Sequence, residues 1–237
     1  KLKIELPPMA DPTVLKNASI STRLAGSTNN IELSQLNLTL DQTKATGELA
    51  IAAFAAPAVR FNLNIDQLDA DRYLPPKTAA ASKKPAEKTP GQKPGSQDEI
   101  NKTPVDLSFL EPLKIAGTAK IGKLKINDLE FTNINTGIDA KNGLVALEPL
   151  ALNLYGGSLN GAIGIDVRGG QQKITAKQQL KNLQFEPFTR AWMNDAKIAG
   201  SGDLALDIRT SGKTIGELRR QLNGTVDVGV DNGAVLG

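Results

Sequence analysis

Aliphatic residues recur at every second position through most of this chain, and in two places the rhythm stumbles in the same way. In "ISTRLAGSTNNIELSQLNLTLDQTKATGELAI" (20–51) the alternation runs to Leu33, steps three residues to Leu36, and resumes through Leu38 and Leu40 to Leu49 and Ile51. In "INTGIDAKNGLVALEPLALNLYGGSLNGAIGI" (134–165) it runs to Leu147, steps three to Leu150, and resumes through Leu152 and Leu154 to Ile163 and Ile165. The two segments superpose without a gap at a displacement of 114 positions. Period-two alternation builds strands with one apolar and one wet face. A three-residue step within a strand implies a bulge or a bend. Chance alternation does not reproduce its own error, so the pair is an internal repeat.

The stretch "LALNLYGGSLNGAIGIDV" (150–167) adds a hairpin signal, with Gly156-Gly157 expected to turn the chain between two such strands. The last third reads strand, helix, strand. Leu204, Leu206 and Ile208 alternate; Ile215, Leu218 and Leu222 then fall at helical spacing; Val226, Val228 and Val230 alternate again. Thr214 followed three residues later by Glu217 predicts a capping box, Gly224 a helix stop, and Asp231-Asn232-Gly233 a turn, with the helix near 214–223. Upstream, "QFEPFTRAW" places Pro187 near the start of a short helix, with Trp192 expected as a core plug beneath it.

Residues 74–104, "LPPKTAAASKKPAEKTPGQKPGSQDEINKTP", hold almost nothing to bury and read as a disordered linker. The organisation expected is a first β module over 1–73, this linker, and a second β module over 105–237. Both ends read as cut, since the chain opens already alternating (Leu2, Ile4, Leu6) and stops as a strand begins.

Charge and composition narrow the function classes. The formal net charge is +3, and the stretch from Lys77 to Lys102 alone holds six lysines against Glu87, Asp98 and Glu99. Everything outside the linker is therefore neutral overall, which argues against nucleic acid as a partner. Cys and His are both absent, removing thiolate chemistry and the commonest general base and metal ligand. The carboxylates Asp139, Asp166, Asp203, Asp207, Asp227 and Asp231 stand singly on polar strand positions, without metal-ligand or acid–base spacing. The expectation is a non-enzyme without cofactor or metal.

A one-faced strand must cover its apolar side. The sheets can close as a sandwich, roll into a barrel, or lend the face to something apolar. The fold class expected is mostly β, in repeated antiparallel sheets with one apolar face (open groove or sandwich) and one or two short helices. Hydrophobic residues make up 40% of the chain but aromatics only 4%, so the face is nearly pure Leu, Ile, Val and Ala. Such a smooth surface suits alkyl chains. The candidate lipid-contacting residues are Leu36, Leu38, Leu40, Leu49, Ile51, Leu150, Leu152, Leu154, Ile163, Ile165, Leu204, Leu206, Ile208, Val226, Val228 and Val230.

In order, the "LYGGSLNG" hairpin, the "GSGDLALD" strand, the "GKTIGELRRQLNG" helix and the "DNGA" turn resemble the C-terminal part of the AsmA family, most strongly over 150–237. The resemblance implies a Gram-negative envelope protein, held in the inner membrane by an N-terminal helix absent from this sequence and projecting into the periplasm. It implies association with outer-membrane biogenesis and movement of phospholipid along a β-lined groove, with an assembly or interaction scaffold as the alternative.

Overall fold

The computed structural model describes residues 9–54, 56–74, 97–193 and 198–235. The alternating segments become eleven strands: β1 (Ala18–Gly26), β2 (Asn30–Leu40), β3 (Thr43–Ala52), β4 (Ala58–Asp69), β5 (Lys114–Ile126), β6 (Leu129–Lys141), β7 (Leu144–Leu154), β8 (Gly157–Asp166), β9 (Gln172–Gln184), β10 (Ile198–Gly212) and β11 (Asn223–Val235). They pair in strict chain order within one sheet. Two expected modules are thus one continuous sheet, and among the described strands there is no second sheet to close a sandwich.

Nine of the ten junctions are antiparallel; β4 and β5 alone run parallel. A parallel pair cannot be joined by a tight turn, because the chain must return to the end from which the previous strand started. The excursion over 70–113 performs that return. Residues 75–96, the body of the expected linker, lie outside the described residues. Its final part is structured: α1 (Gln97–Lys102) precedes an isolated bridge from Pro104 to Thr214. Val105 N–H donates to Lys213 O (2.8 Å) and Ile215 N–H to Thr103 O (3.1 Å), so the expected boundary at 104 falls inside ordered chain.

Three hairpins turn on two residues with positive φ: Asn127-Asp128 (52°, 65°), Asn142-Gly143 (50°, 75°) and Tyr155-Gly156 (43°, 79°). Primed turns of this kind match the strand twist. The turn expected at Gly156-Gly157 is therefore displaced by one residue, and Gly157 opens β8.

Two more helices attach to the sheet, α2 (Phe185–Met193) and α3 (Ile215–Arg220). Thr214 caps α3, its hydroxyl accepting from Glu217 N–H, while Glu217 Oε2 accepts from Lys213 N–H (2.7 Å). The helix ends at Gln221, so Gly224 is no stop and lies in β11. The expected turn at Asp231-Asn232-Gly233 is also strand; Asn232 (φ 52°) sits where the β10–β11 register shifts. A register shift absorbs the turn-prone residues without reversing the chain.

Candidate functional site

Residues directly opposite one another in a ladder point to the same face, so the register traces the apolar face across the molecule. One row crosses all eleven strands: Leu24, Leu33, Leu49, Phe61, Gly117, Ile138, Leu147, Ile163, Ala176, Ile208 and Gly224. A second runs through Leu36, Gly47, Leu63, Ala119, Thr136, Leu150, Gly161, Gln178, Leu206 and Val226. A third runs through Gly26, Ile31, Ile51, Val59, Ile115, Ala140, Val145, Ile165, Ile174 and Thr210. None of the three carries a charged residue. At about 4.8 Å per strand, ten steps span about 48 Å.

Both three-residue steps are register shifts, between Leu33 and Leu36 and between Leu147 and Leu150. They keep Leu36, Leu38 and Leu40, and Leu150, Leu152 and Leu154, on the face of Leu33 and Leu147. All nine Cα partnerships of the β2–β3 hairpin recur in β7–β8 at the same displacement of 114 positions, from Asn30 opposite Ala52 to Leu40 opposite Thr43. By the same register Leu204 faces Val228 and Leu206 faces Val226, and Val230 lies opposite Gly202, so all sixteen candidate residues share one face.

That face is open. Among the sixteen only Leu36 is buried; the rest are half-buried, except the three β11 valines, which are exposed (Val228 at 68%). No large side chain among the described residues is fully buried. The opposite face is polar at every level. Thr118 Oγ1 donates to Asn62 Oδ1 (3.2 Å), and Lys177 pairs with Asp207 at 3.6 Å. A shallow hollow of about 490 Å³ lies on this wet side, among Asn160, Ala162, Lys177, Gln179 and Asp207. It forms where alanines leave space between charged neighbours, and Gly161, Gln178 and Leu206 of the second row also border it.

Two helices wall the aliphatic face where it crosses β10. A Cβ on Gly202, aimed to this face, would run into the Phe185 ring of α2. One on Gly212 would meet Glu217 and Leu218 of α3, and Thr210 Oγ1 donates to Leu218 O (2.5 Å). Between these walls the floor is Leu204, Leu206 and Ile208. One amide interrupts the floor: Gln178 lies over Gly161, with Nε2 donating to Ala162 O (3.0 Å) and Oε1 without a hydrogen-bond partner.

The perturbed carboxylates are structural. Thr13 and Arg72 hydrogen-bond to the Asp11 carboxyl and hold it at about 2, Thr13 contributing most. Asp41 is lowered chiefly by the Leu15 N–H and also accepts from Tyr73 OH (2.9 Å), tying the chain before β1 to the β2–β3 turn and to the end of β4. Among the described residues no three His, Cys, Asp or Glu gather as a metal site.

Sequence reasoning missed several members of the face, among them Phe61, Leu63, Ile115, Ile121 and Ile138. Their signal was present in the alternation of "RFNLNI" and "KIAGTAKI". Trp192 was expected in a core and is 64% exposed, because α2 turns it outward.

A model described as the AsmA family matches residues 1–237. No curated protein and no solved structure matches the chain.

Proposed function

The chain belongs to the AsmA family, and on that premise we propose that it carries phospholipid along its aliphatic face in the bacterial envelope. Acyl chains lie on the three uncharged rows and headgroups stay in water. No residue acts catalytically. The single observation that supports this most is the row from Leu24 to Gly224, continuous over eleven strands and left half-open to solvent. A hydrophobic surface that folding does not bury retains its burial energy for a ligand. At about 25 cal/mol per Å² of apolar surface, an acyl chain covering ~150–200 Å² gains about 4–5 kcal/mol without any polar recognition. The setting proposed is the periplasmic side of an inner-membrane anchor outside this sequence.

The test is direct. The purified chain is extracted and its lipid identified by mass spectrometry, and photo-crosslinking groups are placed at Leu206 and, as control, at Asp207 on the wet face. Phospholipid attached at position 206 but not at 207 supports the reading; equal or absent labelling removes it.

A second reading rests on β11. Its outer edge has no partner among the described strands and its residues 223–234 are exposed. A free edge can take up a client strand by augmentation, which would make the chain an assembly scaffold. Crosslinks to protein at Val228 with none to lipid at Leu206 would favour it.

A further inference from the structure

Trp192 is the chain's one tryptophan, and it stands mostly in water at the end of α2. It is not loosely held. Its ring lies 5.7 Å from Phe188, which meets Tyr155 edge-on at 5.7 Å. The Tyr155 hydroxyl in turn accepts from Glu130 N–H (3.1 Å) at the start of β6. Three rings thus form a column rooted on a hairpin turn, with the indole as its outer end. Rings placed for core packing alone would put the largest inward.

The two charges carried by α2 are spent on each other. Arg190 Nη2 pairs with Glu186 Oε1 at 2.6 Å, leaving the helix without a net charge to offer. The partner chemistry on offer is therefore apolar and amphipathic. Phe185 of the same helix roofs the aliphatic face at Gly202, so the column and that face adjoin across one helix. Ile198, which opens β10 five positions after the helix in the chain, is also an exposed apolar side chain.

We propose that the outer end of α2 is a bilayer-contact site, with Trp192 seated at the boundary between headgroups and acyl chains. An indole is apolar over its rings and polar at its N–H, which suits that boundary. A paired Glu–Arg needs no anionic lipid, so the contact is made with a zwitterionic surface and is insensitive to salt. This contact stands apart from carriage of lipid on the aliphatic face: a chain that bound nothing there would still seat Trp192 in a bilayer.

The single tryptophan is its own reporter. The full chain is titrated with phosphatidylcholine vesicles, with and without phosphatidylglycerol, while its emission is followed. The expected result is a blue shift on phosphatidylcholine alone, unchanged in high salt, with quenching by lipids brominated high on the acyl chain. Trp192→Ala should weaken vesicle co-flotation about tenfold, the loss expected for part of an indole's burial, while Trp192→Phe retains most of it. A constant emission maximum overturns the proposal. So does a shift that needs anionic lipid and vanishes in salt, because it places the contact on a charged surface elsewhere. Emission already blue without vesicles and dependent on protein concentration also overturns it, because a second copy then covers the indole. The wild-type emission decides even if the alanine variant fails to fold.

Discussion

Phe61 lies across Gly117, its partner on the parallel-paired strand, with its carbonyl oxygen and aromatic ring together in the space that a Cβ at 117 would occupy. The ring thereby bridges the one parallel junction of the sheet on its aliphatic side. Gly117 has an ordinary backbone, so only space forbids a side chain there. Gly117→Val should displace the ring and push the Phe61 backbone away, and cost at least about 1–3 kcal/mol, read as a lower urea midpoint. Thr118→Val, one residue along and on the opposite face, should cost less than Gly117→Val.

Ile163 tests whether the aliphatic face is open. It lies in the row that crosses all eleven strands and is half-buried. In a closed core Ile163→Asp would bury an unpaired carboxylate and unfold the domain. On an open face the carboxylate keeps its water. The expected outcome is a β-type circular dichroism spectrum with markedly less co-purifying phospholipid.

Thr214 holds the start of α3, its hydroxyl accepting from Glu217 N–H at 3.2 Å. Thr214→Ala should cost about 1 kcal/mol. Because α3 walls the aliphatic face beside Thr210, the loss should appear first as faster amide exchange in α3 and only then in β10.

Acid should loosen the tight corner after β8. Asp166 is held at about 2 against an ordinary 3.8, first by its side-chain hydrogen bonds from Arg168 and then by that residue's N–H. A carboxylate whose folded value is depressed contributes its stabilisation fully above the unfolded value and loses it as pH falls through the folded one. Arg168 stays protonated throughout. The corner should therefore keep its order above about 3.8 and lose it toward about 2, seen as chemical-shift changes at Val167 and Arg168. Asp166→Asn should abolish that pH dependence.

Much of the face could be read from the chain because period-two alternation and register are local properties. Leu147 and Leu150 sit on one face only if a residue is bulged between them, and the sequence carried that information in the spacing alone. What stayed hidden was set by distant partners. That β4 and β5 join the halves into one sheet depends on Val59 meeting Ile115 across the excursion over 70–113, and alternation says nothing of which strand lies next to which. Trp192 points outward because Phe188 and Tyr155 fill the space beneath it, a tertiary outcome that hydrophobicity alone misjudges. Asn232 promised a turn, yet its positive φ was absorbed as a kink within β11, since β10 already offered a ladder on that side.

The parallel junction between β4 and β5 has a geometric consequence. The repeated hairpins β2–β3 and β7–β8 are five strands apart, and in a wholly antiparallel sheet an odd interval would set them head against foot. One parallel step restores their common direction, while the row from Leu33 and Leu49 to Leu147 and Ile163 keeps them at the same height. The two then run in the same direction in matched register, and differ only by the displacement and twist that five strands accumulate. The same pattern of leucine, isoleucine and glycine returns after about 24 Å, five strand spacings. A molecule sliding across the strands would meet the same ground twice, at one level and with the strands running the same way, with no step to climb at the seam.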